Sequence, residues 1–284
     1  MAQQSYVVLD GIAKRWGGNL GVEGISLDIP EGSFVALLGP SGCGKSTTLR
    51  LLAGLDLPDE GTISIDGRDV TGMPAAKRNL SMVFQSYALF PHLSVAENVM
   101  FGMKARRVPK AERIENMVKA LEITGLIGYE DRKPAELSGG QRQRVALARA
   151  IVAGRKLCLM DEPLSNLDAK LRNAVRKDIK NLQKDLGMTV IYVTHDQTEA
   201  MSMADMVVLM KDGRIQQVGT PEQLYNEPTN TFVAEFVGAP PMALIRGGLI
   251  KGYDDGFTIG IRAEKLRLAV QGQGRLSCRV ADCE

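Results

Sequence analysis

The segment GPSGCGKS at residues 39–46 constrains this chain more than any other feature of its sequence. It fits the pattern G-x-x-x-x-G-K-[ST], follows the apolar run SFVALL and precedes an apolar helical pattern that ends near Gly54. Glycines let backbone amides turn inward around an anion, and the start of the following helix adds partial positive charge. The segment therefore predicts a phosphate-binding loop between a buried strand and a helix.

Within this loop, Lys45 is predicted to reach the β- and γ-phosphates of ATP, and the Ser46 hydroxyl to bind Mg²⁺. Cys43 lies in the same loop, and a thiol beside a helix start and a lysine can have a lowered pKa. We expect alkylation of Cys43 to block ATP binding by obstruction. The predicted nucleotide-contacting residues of the loop are Gly39, Pro40, Ser41, Gly42, Cys43, Gly44, Lys45, Ser46 and Thr47.

Composition excludes several classes of protein. The 284 residues are 44% hydrophobic and 24% charged with a net charge of +2, which argues against a mainly disordered chain. A membrane-spanning helix needs roughly 20 consecutive apolar residues, and the sequence has no such run. The near-neutral charge gives no argument for nucleic-acid binding, so no nucleic-acid partner is expected. Four cysteines without a CxxC pair, and a start without a secretory signal, indicate free thiols in a reducing cytoplasm.

Strand and helix patterns alternate along the chain, which predicts an α/β fold. Buried strands are expected at residues 33–38, 157–160 and 190–193, and a strand with an Asp-Gly turn at 62–67. Residues 206–218 read as a second hairpin. An amphipathic helix capped by Gly187 is indicated by the spacing of Leu171, Val175, Ile179, Leu182 and Leu186.

Three regions differ from the rest of the chain in their sequence patterns. Residues 93–153 carry helical patterns and few strand patterns, which predicts a helical insertion. The sequence Ala-Pro-Pro at 239–241 reads as a linker, so we expect a nucleotide-binding domain at residues 1–238. The glycine-rich remainder, residues 239–284, carries short strand-like pieces and is marginal for an independent core.

Two carboxylates, Asp161 and Glu162, follow the apolar run LCLM at residues 157–160. Parallel strands of α/β proteins bring ligand-binding groups to their carboxyl ends. Asp161 is predicted to hold Mg²⁺ through water, and Glu162 to polarise the attacking water as a general base. The same pattern alone also occurs at ordinary surface turns, and the upstream phosphate loop is what favours the catalytic interpretation.

The segment LSGGQ at residues 137–141 opens a further helix. A serine and two glycines at a helix start can form a second anion site, although a simply capped helix is the alternative. Two phosphate sites in one chain are more than one nucleotide requires. We therefore predict that the nucleotide is bound between two copies of the chain and is contacted by Ser138, Gly139, Gly140 and Gln141 of the opposite copy.

These motifs, in this order, resemble an ATP-binding-cassette (ABC) ATPase over residues 5–238. The resemblance implies a RecA-like core with a P-loop, an antiparallel β subdomain and a helical insertion. It also implies that Gln85 contacts Mg²⁺ and the attacking water, that Asp168 links the two sites, and that His195 contacts the γ-phosphate. Trp16 would stack on adenine. The alternatives are a surface glutamine, a capping histidine and an ordinarily packed tryptophan.

Residues 83–92, 194–201 and 219–221 resemble the importer branch that serves sugars, glycerol phosphate, polyamines and inorganic anions. Residues 240–242 and 260–264 resemble the start of the OB-like regulatory domain of maltose-type importer ATPases, with Ala263 where proline is usual. The C-terminal extension is therefore expected to be a short, β-rich part of such a domain.

The resemblance implies an ATP-hydrolysing motor subunit that energises uptake of a sugar or related solute. Its expected partners are a second copy, integral membrane permease subunits and an extracytoplasmic solute-binding protein, at the cytoplasmic face of the inner membrane. Aromatic and methionine residues between 87 and 103 could line a groove for a permease helix, or belong to the helical core. The alternatives are a soluble ABC ATPase acting on a macromolecule and, more weakly, a small-molecule P-loop kinase.

Overall fold

The computed structural model describes residues 5–250 and 252–267. It begins with two long antiparallel strands, β1 (Ser5–Trp16) and β2 (Asn19–Pro30), joined by a glycine pair. Gly17 and Gly18 have φ angles of 53° and 88°, as a tight hairpin turn between right-twisted strands requires. These strands were not predicted from the sequence. Their pairing shifts register between Leu9 and Ile12, which breaks the alternation that identifies a strand.

The remaining elements follow in chain order. They are β3 (Phe34–Leu38), α1 (Lys45–Ala53), β4 (Glu60–Ile65), β5 (Arg68–Asp69), β6 (Ser81–Val83), α2 (Val95–Ala105), α3 (Lys110–Ile123), α4 (Gly139–Val152), β7 (Leu157–Asp161), α5 (Ala169–Leu186), β8 (Thr189–Val193), α6 (Gln197–Met203), β9 (Met206–Lys211), β10 (Arg214–Gly219), α7 (Pro221–Asn226), α8 (Thr231–Phe236), β11 (Ala243–Arg246) and β12 (Thr258–Ile261).

A six-stranded sheet, in the order β10-β9-β3-β8-β7-β6, forms the core. All its pairs are parallel except β9 with β10. Every residue of β3 and β8 is buried, as expected for strands covered on both faces. The predicted strands at 33–38, 157–160 and 190–193 and the hairpin at 206–218 are confirmed. The carboxyl ends of β3, β7 and β8 therefore meet at one edge.

The second sheet has the order β2-β1-β4-β5 and packs its buried face onto α1 and one face of the core sheet. Its β4–β5 turn is the predicted Asp-Gly turn, with φ angles of 52° at Asp66 and 69° at Gly67. Residues 93–153, all described, contain α2, α3 and α4 and no strand. These helices share a cluster of buried side chains that includes Val99, Leu121 and Val145.

The chain divides into two compact units, Met1–Pro221 and Glu222–Glu284. In the second unit, the hairpin of β11 and β12 is tied to α8 by Arg262. That buried guanidinium donates hydrogen bonds to the carbonyls of Tyr225 (2.8 Å), Ala234 (3.3 Å) and Val237. The domain boundary near residue 238 remains a prediction, and Cys278 and Cys283 lie outside the described residues.

In the described part of the chain, none of the helices combines the length and the apolar character needed to cross a membrane.

Candidate nucleotide-binding and hydrolysis site

The phosphate loop joins β3 to α1, and its last glycine sets the start of the helix. Gly44 is the N-cap residue of α1, with φ at 100° in the left-handed region. A Cβ at this position would lie 2.6 Å from Cγ1 of Val22, so glycine is needed for both conformation and space. No side chain caps α1. The amides of its first turn therefore remain available to an anion.

Lys45 is folded back into this loop. Its side-chain Nζ donates hydrogen bonds of 2.8 Å to the Gly39 carbonyl and 2.9 Å to the Pro40 carbonyl. The residue is only 5% exposed. The ammonium group is thus held by neutral carbonyl oxygens, which a negatively charged phosphate can replace as a stronger partner.

Cys43 corrects one expectation. The thiol is buried, and burial raises its pKa despite the opposing effect of Lys45, whose Nζ lies 3.8 Å from Sγ. The predicted lowering is wrong because desolvation of the thiolate outweighs the attraction of the nearby cation.

Ser46 and Asp161 meet across the edge of the core sheet. The Ser46 hydroxyl donates a 2.9 Å hydrogen bond to Oδ1 of Asp161. Burial raises the pKa of Asp161, and the Ser46 hydrogen bond opposes that shift. A hydroxyl and a carboxylate are the oxygen donors that Mg²⁺ prefers when substrate phosphates supply further ligands. Among the described residues there is no cluster of three or more His, Cys, Asp or Glu that could hold a metal ion.

Glu162 and His195 form a second pair beside the first. Nδ1 of His195 lies 3.3 Å from Oε2 of Glu162, and the His195 side chain is 57% exposed. Glu162 has φ at 43°, an uncommon conformation for a residue with a side chain. Its amide donates to the Val193 carbonyl at 3.1 Å, which fixes the turn against β8. The turn places the carboxylate beside His195, with the Glu162 side chain 22% exposed.

Gln85 lies against the loop that follows Glu162. Its side-chain amide donates to the Ser165 hydroxyl at 3.3 Å, and its carbonyl accepts a 3.0 Å hydrogen bond from Asn166. Asp168 caps α5, accepting a 2.9 Å hydrogen bond from the Leu171 amide. The structure thus brings Gln85 together with the loop of Asp168.

Ser138 and Gln141 form a reciprocal capping box at the start of α4. The Ser138 hydroxyl accepts from the Gln141 amide at 3.3 Å, and the Gln141 side chain accepts from the Ser138 amide at 2.8 Å. A Cβ on Gly140 would lie 2.5 Å from Cδ2 of Leu171, so this glycine lets α4 approach α5 closely. The helix start that was predicted to form a second anion site is therefore already capped by its own side chains.

Trp16 ends β1 with its side chain 44% exposed. The Lys14 ammonium lies 5.9 Å from the centroid of its ring. An aromatic face this exposed is available for stacking.

A cavity of about 170 Å³ lies between α2, α4 and the segment around Phe84. Tyr87, Phe101 and Met103, which belong to the aromatic and methionine residues predicted to line a groove, line it together with Val99, Arg106 and Arg149. Met100 instead packs with the helical core. The segment between residues 87 and 103 thus contributes both to a groove and to the core.

A group of charged residues near His195 was not predicted from the sequence. The lining of a cavity of about 30 Å³ consists of Glu162, Ser165, Arg172, Thr194, His195, Asp196 and Glu199. Glu199 is almost completely buried. Glu199 lies in the segment 194–201 that resembles the importer branch, but a charged residue on a short helix is usually solvated, so no role was predicted for it.

A phosphate loop with a Ser–Asp pair and a Glu–His pair at one sheet edge defines a P-loop nucleoside triphosphatase. The sequence profile of the family described as ABC transporter matches residues 22–165. The chain belongs to the ABC transporter family and is an ATPase.

Three similar proteins are import ATP-binding proteins by name. The sn-glycerol-3-phosphate protein UgpC of Brucella abortus is 51% identical over 94% of this chain and 79% of its own. The spermidine/putrescine protein PotA of Acetivibrio thermocellus is 44% identical over 100% and 85%. The Fe(3+) ions protein FbpC of Photorhabdus laumondii is 52% identical over 84% and 68%.

Among solved structures, CbiO1 of Clostridium perfringens, described as part of the ABC transporter complex cbiONQ, aligns with a TM-score of 0.73. It is 30% identical, over 78% of this chain and 91% of that one. The predicted α/β fold of an ABC ATPase is confirmed.

Proposed function

We propose that this chain is the ATP-hydrolysing motor subunit of an importer, with ATP held between two copies and the solute passing through separate membrane subunits. The observation that carries the proposal is the placement of the Ser46–Asp161 and Glu162–His195 pairs side by side at the edge that bears the phosphate loop. The names of the relatives support an importer rather than another ABC ATPase.

The first part of the mechanism is nucleotide binding. Lys45 leaves the carbonyls of Gly39 and Pro40 and binds the β- and γ-phosphates, while the open amides of α1 surround them. Ser46 and Asp161, with Gln85, would hold Mg²⁺, which neutralises charge on the phosphate oxygens. Trp16 stacks on the adenine of the nucleotide.

The second part is hydrolysis. Glu162 accepts the proton of the attacking water, and His195 steadies that carboxylate and contacts the γ-phosphate. Ser138, Gly139, Gly140 and Gln141 of the second copy complete the phosphate site from the other side, and Asp168 links the two sites. Because these contacts exist only in the closed dimer, ATP favours closure and hydrolysis favours opening.

The groove lined by Phe101, Met103 and Arg149 is the proposed docking place for a helix of the membrane permease. This partner would place the chain at the cytoplasmic face of the inner membrane, with an extracytoplasmic solute-binding protein in the full system. Three relatives with similar sequences are named for three different solutes, so the choice of solute lies mainly with those partners. We propose a sugar or glycerol phosphate, since UgpC matches over 94% of the chain at 51% identity.

Glu162→Gln tests this function. The amide cannot accept the proton of water, so we expect ATP turnover to fall by about a hundredfold or more while ATP binding is retained. Light scattering with ATP should show a stable dimer. Glu122→Gln, an exposed change on α3, is the matched control and should behave as wild type. A Glu162→Gln protein that hydrolyses ATP at the normal rate would remove Glu162 as the base.

Uptake by whole cells separates the solute classes. Cells in which Glu162→Gln replaces the native protein should lose uptake of radiolabelled glycerol 3-phosphate or a sugar. Loss of putrescine uptake alone would reject the proposed solute class and keep the importer function.

A further inference from the structure

Glu199 lies in the first turn of α6 and makes two short hydrogen bonds inside the protein. Its Oε2 accepts from the Tyr192 hydroxyl at 2.8 Å and from the Thr194 hydroxyl at 2.7 Å. The residue is 4% exposed. A carboxylate so deeply buried is retained at a cost in solvation, which its hydrogen bonds and a nearby cation must offset.

The Thr194 hydroxyl that donates to Glu199 also accepts a 3.0 Å hydrogen bond from the Asp196 amide. The Thr194 amide in turn donates to the Leu37 carbonyl on β3 at 3.1 Å. These bonds fix the backbone on both sides of His195. The exposed imidazole is therefore aimed by its flanking residues, in addition to its contact with Glu162.

Arg172 reaches this assembly from α5. Its Nη2 donates to the Leu167 carbonyl at 3.0 Å, while Nη1 lies 3.6 Å from Asp196 and Nε 3.9 Å from Glu199. One planar guanidinium thus hydrogen-bonds the loop that carries Asp168 and lies within ion-pair distance of Asp196, the residue after His195, and of Glu199, although its Nε makes no hydrogen bond. The side chain of lysine has one charged nitrogen and cannot span the same three directions.

The cavity of about 30 Å³ lies between this assembly and the Glu162–His195 pair. The residues that line it all carry polar side chains, and the volume is enough for a water molecule bonded to two or more of their polar groups. Arg172, Thr194 and Glu199 therefore share one cavity with the proposed catalytic pair, Glu162 and His195.

We propose that Arg172, Thr194 and Glu199 form a positioning network that holds His195 in register with Glu162 and links it to the loop of Asp168. This inference rests on the proposed roles of Glu162 and His195. The three residues act through His195 and do not touch the nucleotide. Their loss misplaces the imidazole, so turnover falls while ATP binding persists.

Thr194→Val and Arg172→Met test the network. Each should lower kcat by about tenfold and leave the Kd for ATP within about twofold of wild type. Thr194→Ser, which keeps the hydroxyl, should restore turnover, and Lys177→Met on the exposed side of α5 should have no effect. Unchanged kcat in both variants, or a Thr194→Val loss that serine does not restore, would overturn the proposal. If Thr194→Val does not fold, Arg172→Met with its Lys177 control decides.

A double-mutant cycle with His195→Ala separates positioning from general structure. If the network acts through His195, neither variant should lower kcat further in the His195→Ala background. Additive losses together with a lower Tm would show a structural role and reject the inference. If His195→Ala alone leaves kcat unchanged, the proposed hydrolysis mechanism fails instead, and the two failures are distinguishable.

Discussion

The starts of α1 and α4 are both glycine-rich helix ends predicted to bind phosphate, and the structure treats them differently. At α1 the N-cap is Gly44 and no side chain occupies the free amides. At α4, Ser138 and Gln141 satisfy one another's amides in a capping box. The first start is open to an anion, whereas the second already has part of its hydrogen bonding complete.

This difference suggests that α1 determines the nucleotide affinity of one copy, whereas α4 acts in the closure of two copies. A phosphate at α1 gains open donors and replaces the weak carbonyl partners of Lys45. A phosphate at α4 meets donors that are partly satisfied, so its net gain is smaller. We therefore expect a single copy to bind nucleotide through α1, and α4 to contribute only when closure of two copies supplies the remaining contacts.

The largest effect is expected at α1. Lys45→Ala removes the cation nearest the phosphates, and nucleotide affinity should fall by about a hundredfold. Equilibrium binding of a fluorescent ATP analogue measures it. Lys170→Ala, an exposed change on α5, should bind normally. Unchanged affinity in Lys45→Ala would contradict the assignment of the phosphate loop.

A smaller effect is expected at α4. Ser138→Ala should cost about 1 kcal/mol of helix stability and lower kcat by several-fold, while the ATP affinity of the single copy is unchanged. Ser94 caps α2 with the same kind of capping box and is the matched control. Ser94→Ala should cost similar stability and keep kcat. Equal losses of kcat in the two variants would show that Ser138 acts only as a cap.

The smallest effect concerns the thiol beside α1. Only the thiolate reacts, and the raised pKa of Cys43 leaves less thiolate at a given pH. Alkylation by iodoacetamide should therefore be slower than for free cysteine at pH 7 and rise with pH into a more alkaline range. Mass spectrometry follows the modification, with Cys43→Ser as control. ATP should protect the thiol, and modified protein should lose nucleotide binding. If the alkylation rate levels off at a pH at or below the pKa of a free thiol, the raised pKa of Cys43 is wrong.

Much of the α1 region could be predicted because its signals are local. The apolar run before Gly39, the phosphate-loop pattern and the cap at Gly54 lie within one short stretch. The acidic strand end at Asp161 and the strand before His195 follow from short apolar runs in the same way. Site residues whose roles depend on their neighbours in the sequence can therefore be predicted.

The missed features depend on distant contacts or on irregular pairing. The register shifts in β1 hide its alternation, and the close approach of Gly140 to the Leu171 side chain involves another helix. The pKa direction of Cys43 depends on how deeply the loop is packed. Arg172 and Glu199 acquire meaning only when α5, β8 and α6 converge.

The left-handed backbone conformation at Glu162 is unfavourable for glutamate, while the proposed reaction needs its carboxylate. Glycine, asparagine or aspartate would adopt this conformation with less strain, yet none carries a carboxylate on a side chain of the same length. Local conformational preference therefore favours other residues here, whereas the proposed role as general base calls for glutamate. Under the proposed mechanism, this position lowers stability in order to support turnover, and substitutions selected for heat resistance should accumulate there and lower activity.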